Sequence, residues 1–317
     1  FAVATLGFLI IVIFLKRYPG MNIIEASEEA GGSFFGIIAS LGYFAFFFSI
    51  MVLLIREFSE TVSTALLPFT PLSIIMVVFV IATLVASYMG PEAITRAALA
   101  GIPLIAGTLV LLNLLLLPQI NPDAIFPIFG PGIGRLAYNG VTHSGIAGEI
   151  IFLCVIKKQL SKKYEIQKIG LISLGISAIF IIVSTLTYSL IFPYPLSLHI
   201  AYPGYEASTL IYMGRFLQRI EVAFVFLWVI SACICLTLCG YTAAAIIQDI
   251  LRLPCYRPIL PALSVIAFTV ALVPSNVPQA THIEFMIVRT YGGFLLFAVP
   301  LLLLIISLLK SKLNTRG

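Results

Sequence analysis

Long apolar runs separated by short polar stretches are the dominant pattern along this chain. The runs do not alternate between apolar and polar residues, as the strands of a membrane β-barrel would. An α-helix needs about 20 mostly apolar residues to cross the hydrocarbon core of a bilayer. The pattern predicts nine membrane-spanning segments, at about residues 1–15, 33–55, 71–89, 97–117, 136–156, 168–192, 219–247, 259–273 and 287–309.

The composition excludes a soluble domain. Hydrophobic residues make up 61% of the 317 positions and charged residues only 10%, whereas an average soluble domain has about 25% charged residues. The net charge of +5 does not indicate nucleic-acid binding, because the lysines and arginines cluster in short gaps between the apolar runs. We expect an all-α polytopic membrane protein that contacts the lipid bilayer and binds no nucleic acid.

The distribution of positive charge predicts the orientation. If Lys16 is cytoplasmic and the nine segments alternate, thirteen lysines and arginines lie inside and five outside. Cytoplasmic loops are enriched in these residues, so the opposite orientation would contradict the rule. We expect the loop 157–168 and the C-terminus to be cytoplasmic, and segment 193–218 to face outward.

The first apolar run is predicted to be the end of a membrane helix. It stops at Lys16 and Arg17, and it has neither a charged region before it nor a small-residue cleavage site. These features are not those of a signal peptide. We expect the beginning of this helix to lie outside the sequence.

Two parts of the chain are similar in layout. Tyr18-Pro19-Gly20 follows the first apolar run, and Tyr202-Pro203-Gly204 follows the sixth. Each leads into a long helix, and these helices end near Leu67 and Leu253, at almost equal distances from their tyrosines. The predicted topology puts the first tripeptide inside and the second outside, which is typical of an inverted repeat. The alternative is that proline and glycine merely punctuate membrane loops.

An inverted repeat also predicts how the chain is organised. Its offset would map the fifth segment to positions before residue 1, so one helix of ten would be missing. We expect a single transmembrane domain, 1–317, with a five-plus-five inverted-repeat, transporter-like fold. Residues 1–117 would hold helices 2–5 of the first repeat, and residues 131–309 the second repeat.

The fifth segment carries the strongest candidate site. Glu149 precedes Lys157 by about two helical turns, which places its carboxylate near the middle of the bilayer. A charge there costs roughly 2.5–3.5 kcal/mol unless it is protonated, paired or facing water. Gly145 and Gly148 could break the helix and expose backbone groups to an amino-acid carboxylate, an ammonium or a small cation. The alternatives are glycines that serve close helix packing and a protonated structural glutamate.

Other polar residues within the apolar runs have plainer interpretations. Arg219 and Glu221 are expected to form an ion pair at the outer end of the seventh segment. Arg56, Glu57 and Glu60 are expected to form a solvated helix end.

Metal and cofactor chemistry is not indicated. Four of the five cysteines lie inside apolar runs, where they are expected to pack as small apolar residues. The three histidines show no paired ligand spacing, so we expect neither a metal nor a cofactor. An intramembrane enzyme would need a paired nucleophile and base at one depth, and the sequence shows no such pair.

Several stretches resemble a known family. They are Arg56-Glu57-Phe58-Ser59-Glu60, Leu67-Pro68-Phe69-Thr70-Pro71, Gly90-Pro91-Glu92-Ala93-Ile94-Thr95-Arg96 and, most specifically, Gly214-Arg215-Phe216-Leu217-Gln218-Arg219-Ile220-Glu221 with Trp228. These stretches are similar to the B subunit of bacterial spore germinant receptors, a branch of the amino acid-polyamine-organocation transporters. The resemblance covers essentially the whole chain.

The resemblance implies a role and partners. It implies a multi-pass protein of the inner spore membrane that senses a small nutrient such as an amino acid, alongside A and C subunits of the receptor. A secondary amino-acid transporter and a purely scaffolding subunit are the alternatives.

In five-plus-five folds the broken helices meet at the midplane beside the third helix of each repeat, so we expect a ligand pocket at the fifth segment. The candidate binding residues are Thr142, His143, Ser144, Gly145, Gly148, Glu149, Tyr43, Phe47 and Trp228.

Overall fold

The computed structural model describes residues 1–126, 130, 132–160, 165–200, 202–211 and 220–314. Throughout these ranges the regular structure is helical, which confirms the predicted all-α class. The α-helices are α1 (Ala2–Lys16), α2 (Ile23–Ala65), α3 (Leu72–Met89), α4 (Pro91–Leu116), α5 (Ile133–Thr142), α6 (Ile151–Val155), α7 (Ile166–Ile191), α8 (Pro203–Thr209), α9 (Ile220–Leu251), α10 (Ile259–Ala271), α11 (Val277–Ile283) and α12 (Thr290–Asn314).

Six helical stretches in the described ranges are long and apolar enough to cross a bilayer, so the protein is polytopic. They are Ile23–Ala65, Leu72–Met89, Pro91–Gln119, Ile166–Ile191, Glu221–Leu251 and Val277–Lys310. They match six of the nine predicted segments.

The other three predicted segments differ from full-length crossings. Helix α1 is apolar and has 15 residues, and α10 is apolar and has 13. Helix α10 ends at Ala271 because Pro274 follows, and a proline disfavours helical geometry at the residue before it. The segment predicted at 136–156 is broken into α5 and α6.

Helices α2 and α9 pack against each other at the centre of the molecule, and α3 and α10 pack against both. Lipid is as apolar as leucine, so close packing rather than water exclusion must hold such helices together. Small residues of α9 allow that approach. A Cβ atom placed on Gly240 would lie 3.2 Å from the Met51 sulfur, and Ala243 and Ala244 are fully buried.

The first residues of α2 are fixed by a capping box. The Asn22 side chain accepts a hydrogen bond from the Glu25 backbone N–H, and the Glu25 carboxylate accepts one from the Asn22 backbone N–H. Ten residues further on, the helix is interrupted by a kink at Gly32, whose φ of 80° and ψ of 170° are non-helical and favour glycine. The acidic stretch at Glu25–Glu29 is therefore helical.

Helices α4 and α7 lie at the periphery. Leu104 on α4 and Ile179 on α7 are 61% and 64% exposed, and few residues of either helix are buried. An apolar surface of this kind fits contact with lipid tails.

The two tripeptide segments are each followed by a short helix. Tyr18–Gly20 leads into the first part of α2, which a kink at Gly32 separates from the rest of that helix. Tyr202–Gly204 opens the separate short helix α8, which precedes α9. The inverted repeat and the division at residues 117 and 131 stay predictions.

Candidate functional site

The helix predicted to break does so at the predicted position. Helix α5 ends at Thr142, α6 begins at Ile151, and Ser144–Ile150 between them forms tight 3₁₀ turns. Ala147, with φ −106° and ψ 18°, lies outside helical geometry. The segment Thr142–Ile150 is called the break below.

The two glycines of the break lie against protein atoms. A Cβ atom on Gly145 would lie 1.9 Å from the carbonyl oxygen of Arg289 and 2.5 Å from the backbone nitrogen of Gly293. A Cβ atom on Gly148 would lie 2.4 Å from the ring of Phe46. These contacts favour the packing role that the sequence left open for the glycines. Their role in ligand binding stays a prediction.

A buried ion cluster connects the break to the segment before α12. The Arg289 guanidinium donates to Glu149 at 2.5 Å through Nη1, and to Glu284 at 3.0 Å through Nε and 2.6 Å through Nη2. The side chains of Arg289 and Glu284 are 11% and 9% exposed, and that of Glu149 is 24% exposed. The carboxylate of Glu149 is therefore paired.

The spacing of Glu284 and Arg289 depends on a π turn. Glu284–Arg289 forms a π-helical turn that is continuous with α11 and α12. Hydrogen bonds in a π turn link residues five apart, which is also the separation of this arginine from its glutamate. The turn thereby lets both charged groups project to the same side.

Glu57 extends the cluster onto α2, which corrects one expectation. Its carboxyl lies near that of Glu284 and accepts a 3.3 Å hydrogen bond from the Thr281 hydroxyl. Arg56 is only 7% exposed and donates to Glu60 and to the Ser275 carbonyl. The expectation of a solvated helix end is wrong, because α2 continues to Ala65 and packs there against α11.

A cavity of about 680 Å³ lies beside the cluster. Arg289, Glu284 and Glu57 lie on its wall, and Trp228 of α9 lines it as well. The Trp228 ring contacts the rings of Phe58 and Phe224, with centroids 4.9 and 5.8 Å apart. We call this space the Trp228 cavity. Its wall combines aromatic rings with charged groups.

The structure divides the predicted binding residues into two groups. Thr142, His143, Ser144, Gly145, Gly148 and Glu149 lie at the break. Tyr43 and Phe47 are fully buried in α2, and Phe47 packs edge-on against the neighbouring Phe46 ring, which touches Gly148. Trp228 lies in the Trp228 cavity, whose described wall includes no residue of the break. Arg289 connects the break to this cavity, because it hydrogen-bonds to Glu149 and lies on the cavity wall.

Three polar atoms near the break are buried without a hydrogen-bond partner among the described residues. They are the Tyr43 hydroxyl, the Ser144 hydroxyl and the Nδ1 of His143. Buried polar groups are normally bonded, so such atoms call for a functional or structural explanation.

The predicted Arg219–Glu221 pair falls partly outside the described residues. Arg219 belongs to the range 212–219, and Glu221 lies in the first turn of α9. The pair stays a prediction.

Arg289, Glu284 and Glu57 are the site residues that the sequence reading missed. Arg289 is one of the five positive charges that the predicted topology places outside, although it falls inside the apolar run 287–309. An arginine within an apolar run, with a glutamate five residues earlier, was a usable signal, because charges at membrane depth are usually functional.

This geometry defines a class of protein. It is a polytopic all-α membrane protein in which a broken helix is bonded to buried charged groups beside a cavity. Within that class, the chain belongs to the spore germination protein family, which matches residues 1–280. The family resemblance expected from the sequence is confirmed.

The chain is also similar to the spore germination protein KB of Bacillus subtilis (strain 168), with 23% identity over 218 residues. The match covers 68% of this chain and 58% of that relative, so it spans less than two thirds of the relative's length.

Proposed function

We propose that this chain is the nutrient-sensing, permease-like subunit of a spore germinant receptor. It binds a small nutrient such as an amino acid and triggers germination. It works in the inner spore membrane with its C-terminus in the cytoplasm, beside the receptor's A and C subunits. Membership of the spore germination protein family supports this role.

One observation carries the proposal: Arg289 lines the Trp228 cavity and hydrogen-bonds to Glu149 in the break. A ligand in the cavity therefore meets a charged group that is bonded directly to the broken helix. Broken helices at membrane depth are where many transporters bind their substrates.

The charges of the cluster favour a ligand with an ammonium group. In the described part of the chain, one arginine faces three carboxyl groups, those of Glu57, Glu149 and Glu284. This excess of acidic groups favours a proton or a cationic ligand group. The faces of Trp228 and Phe224 suit an apolar side chain or a cation. An amino acid offers both an ammonium group and a side chain.

The ligand carboxylate has donors available on Arg289. A guanidinium has five N–H groups, and the hydrogen bonds to Glu149 and Glu284 use three of them. A carboxylate that competes for this arginine weakens its bond to Glu149. The break is then released from the segment before α12, which is the step we assign to triggering.

Two substitutions test the role of the cavity, in spores that carry the full-length protein with its partner subunits. Glu57→Gln keeps the shape of the side chain and removes its charge, and Trp228→Leu removes the aromatic face. Both are expected to raise the nutrient concentration needed for germination at normal receptor levels. Glu92→Gln is the control, because the Glu92 side chain is 79% exposed and pairs with Arg96 on the surface. Unchanged dose–response curves in both variants would contradict binding in this cavity.

A transport assay separates the sensor from a secondary transporter with the same five-plus-five fold. Full-length protein in proteoliposomes is expected to bind labelled amino acid without accumulating it. Net accumulation driven by an ion gradient would favour the transporter.

A further inference from the structure

A second cavity of about 680 Å³ lies where α1 ends and α7 begins. Its wall combines Lys16, Lys157 and Lys158 with the apolar side chains of Val12 and Ile166. We call it the lysine cavity. Among the described residues, it shares no wall residue with the Trp228 cavity.

The lysine cavity lies at the ends of helices. Lys16 is the last residue of α1, Lys157 follows the end of α6 after one residue, and Ile166 is the first residue of α7. In helices that cross a bilayer, lysines at the ends are expected at its surface, and Val12, one turn before Lys16, is expected to lie deeper. A phospholipid has the same arrangement, with a charged headgroup at the membrane surface and apolar acyl chains deeper.

Two of the three lysine ammonium groups donate only to neutral oxygen atoms among the described residues. The Lys157 ammonium donates to the backbone carbonyls of Leu15 at 3.1 Å and Tyr18 at 3.3 Å. The Lys16 ammonium donates to the neutral side chain of Gln167 at 2.8 Å. Each ammonium has three N–H groups, so both can donate further.

Carboxylates offset this charge only in part. Of the three lysines, Lys158 alone is paired with a carboxylate in the part of the chain that the structure describes, and its partner is Glu25. Glu165 adds one acidic group to the wall. Burial lowers the pKa of the Lys157 ammonium.

We propose that the lysine cavity binds one diacyl anionic phospholipid. Its phosphate accepts hydrogen bonds from Lys157 and Lys16, and its acyl chains lie along Val12 and Ile166. Basic cavities between membrane helices are suited to anionic headgroups. The apolar wall favours a lipid over a free phosphate ion, which would gain nothing from it. A lipid bound here joins α1, the turn after α6 and α7.

The test measures lipid selectivity on detergent-solubilised full-length protein. Native mass spectrometry compares the retention of phosphatidylglycerol with that of phosphatidylcholine, with and without added inorganic phosphate. We expect phosphatidylglycerol to be preferred, and each of Lys16→Gln and Lys157→Gln to weaken its retention about fivefold, since one lysine near a membrane surface contributes about that factor. Lys157→Arg keeps the charge and is expected to retain the preference.

Lys310→Gln is the matched control. Lys310 lies at the same end of the molecule, is exposed, and donates to the Glu29 carbonyl away from the cavity. Its substitution is expected to leave selectivity unchanged. Lys157→Gln could disturb folding through the lost carbonyl bonds, whereas Lys16→Gln leaves those bonds in place, so the second variant decides.

Three results would overturn the proposal. They are equal retention of the two lipids by the unsubstituted protein, a preference that Lys16→Gln leaves unchanged, and displacement of phosphatidylglycerol by inorganic phosphate at equal concentration. The last result would indicate a simple anion site.

Discussion

Arg289 donates a 2.5 Å hydrogen bond to Glu149 across 140 positions of the sequence. The same guanidinium holds Glu284, five residues before it, through two further hydrogen bonds. One side chain therefore connects the break to the segment before α12, and its two partners differ in burial. Because of this difference, we expect substitutions of the cluster residues to destabilise the protein to different extents.

Arg289→Gln should destabilise the protein more than Glu149→Gln. Removing the arginine leaves Glu284 buried without its cation, and breaking a buried pair from one side typically costs about 3–5 kcal/mol. Glu149→Gln leaves the Arg289–Glu284 pair intact and should cost less. Thermal unfolding of the purified protein in detergent measures both. Arg96→Gln, which removes an exposed pair with Glu92, should change stability by no more than about 1 kcal/mol. Equal losses for Arg289→Gln and Arg96→Gln would contradict a buried cluster.

Glu149→Gln should also weaken the nutrient response while receptor assembly stays near normal. The amide keeps the side-chain shape and loses the charge that pairs with Arg289. Dose–response curves of spores with matched receptor levels are the measurement. A curve identical to that of the parent would rule out a role for the charge.

Gly145→Ala and Gly140→Ala should have opposite effects. The new methyl group at position 145 meets the Arg289 carbonyl at 1.9 Å. Overpacking of this kind typically costs about 1–3 kcal/mol, and a backbone atom yields less readily than a side chain. Gly140 lies in α5, and beyond its own helix backbone no described atom lies within 4 Å of the added Cβ, so alanine there should be neutral or stabilise by up to about 1 kcal/mol. Melting temperatures of the two variants decide, and a stable Gly145→Ala protein would mean that the break is not close-packed.

The orientation can be tested by labelling single cysteines in a background without the native cysteines. Glu165→Cys, in the loop predicted to be cytoplasmic, should react with an impermeant reagent only after the membrane is opened. Asp123→Cys, in the loop after α4 that is predicted to face outward, should react on intact protoplasts. Both positions are exposed, so the sidedness of the membrane decides their reactivity. The reverse pattern would invert the topology.

Asn22→Ala should weaken the start of α2. The substitution removes the N-cap hydrogen bond to the Glu25 backbone and the 2.7 Å hydrogen bond from Asn22 to Asp249 at the end of α9. Loss of an N-cap alone typically costs about 1 kcal/mol, and the unpaired Asp249 adds to it. Hydrogen exchange at residues 23–31 should increase. Unchanged exchange there would show that packing alone holds this turn.

The apolar pattern predicted which segments are helices better than it predicted where each helix ends. Six predicted segments correspond to long apolar helices, because about 20 uninterrupted apolar residues have few alternatives in a membrane. The pattern failed at Ala65, where α2 extends past the charged Arg56. Hydropathy treats every charge as an end of a span, whereas a charge paired with another helix can remain inside one.

Only part of the candidate site could be predicted from the sequence. Glu149 and the break at Gly145 followed from local sequence, since glycines and a lone carboxylate in an apolar run are unusual. The partner of Glu149 did not follow, because pairing with Arg289 depends on how distant segments pack. The glycines border Arg289 and Phe46, which fits the close packing that the sequence left open, and their role in ligand binding stays a prediction.

The π turn at Glu284–Arg289 also changes the helical phase of the segment that contains it. Each α-helical residue rotates the side-chain direction by about 100°, so one extra residue in a turn offsets the two flanking helices by about that angle. Helix α12 packs against α1 and α2, and α11 on the same rod also packs against α2. The extra residue therefore sets which stripe of each helix faces its partners at these interfaces. Deleting one residue within the turn would shorten the rod by only about 1.5 Å, yet would leave these interfaces out of phase.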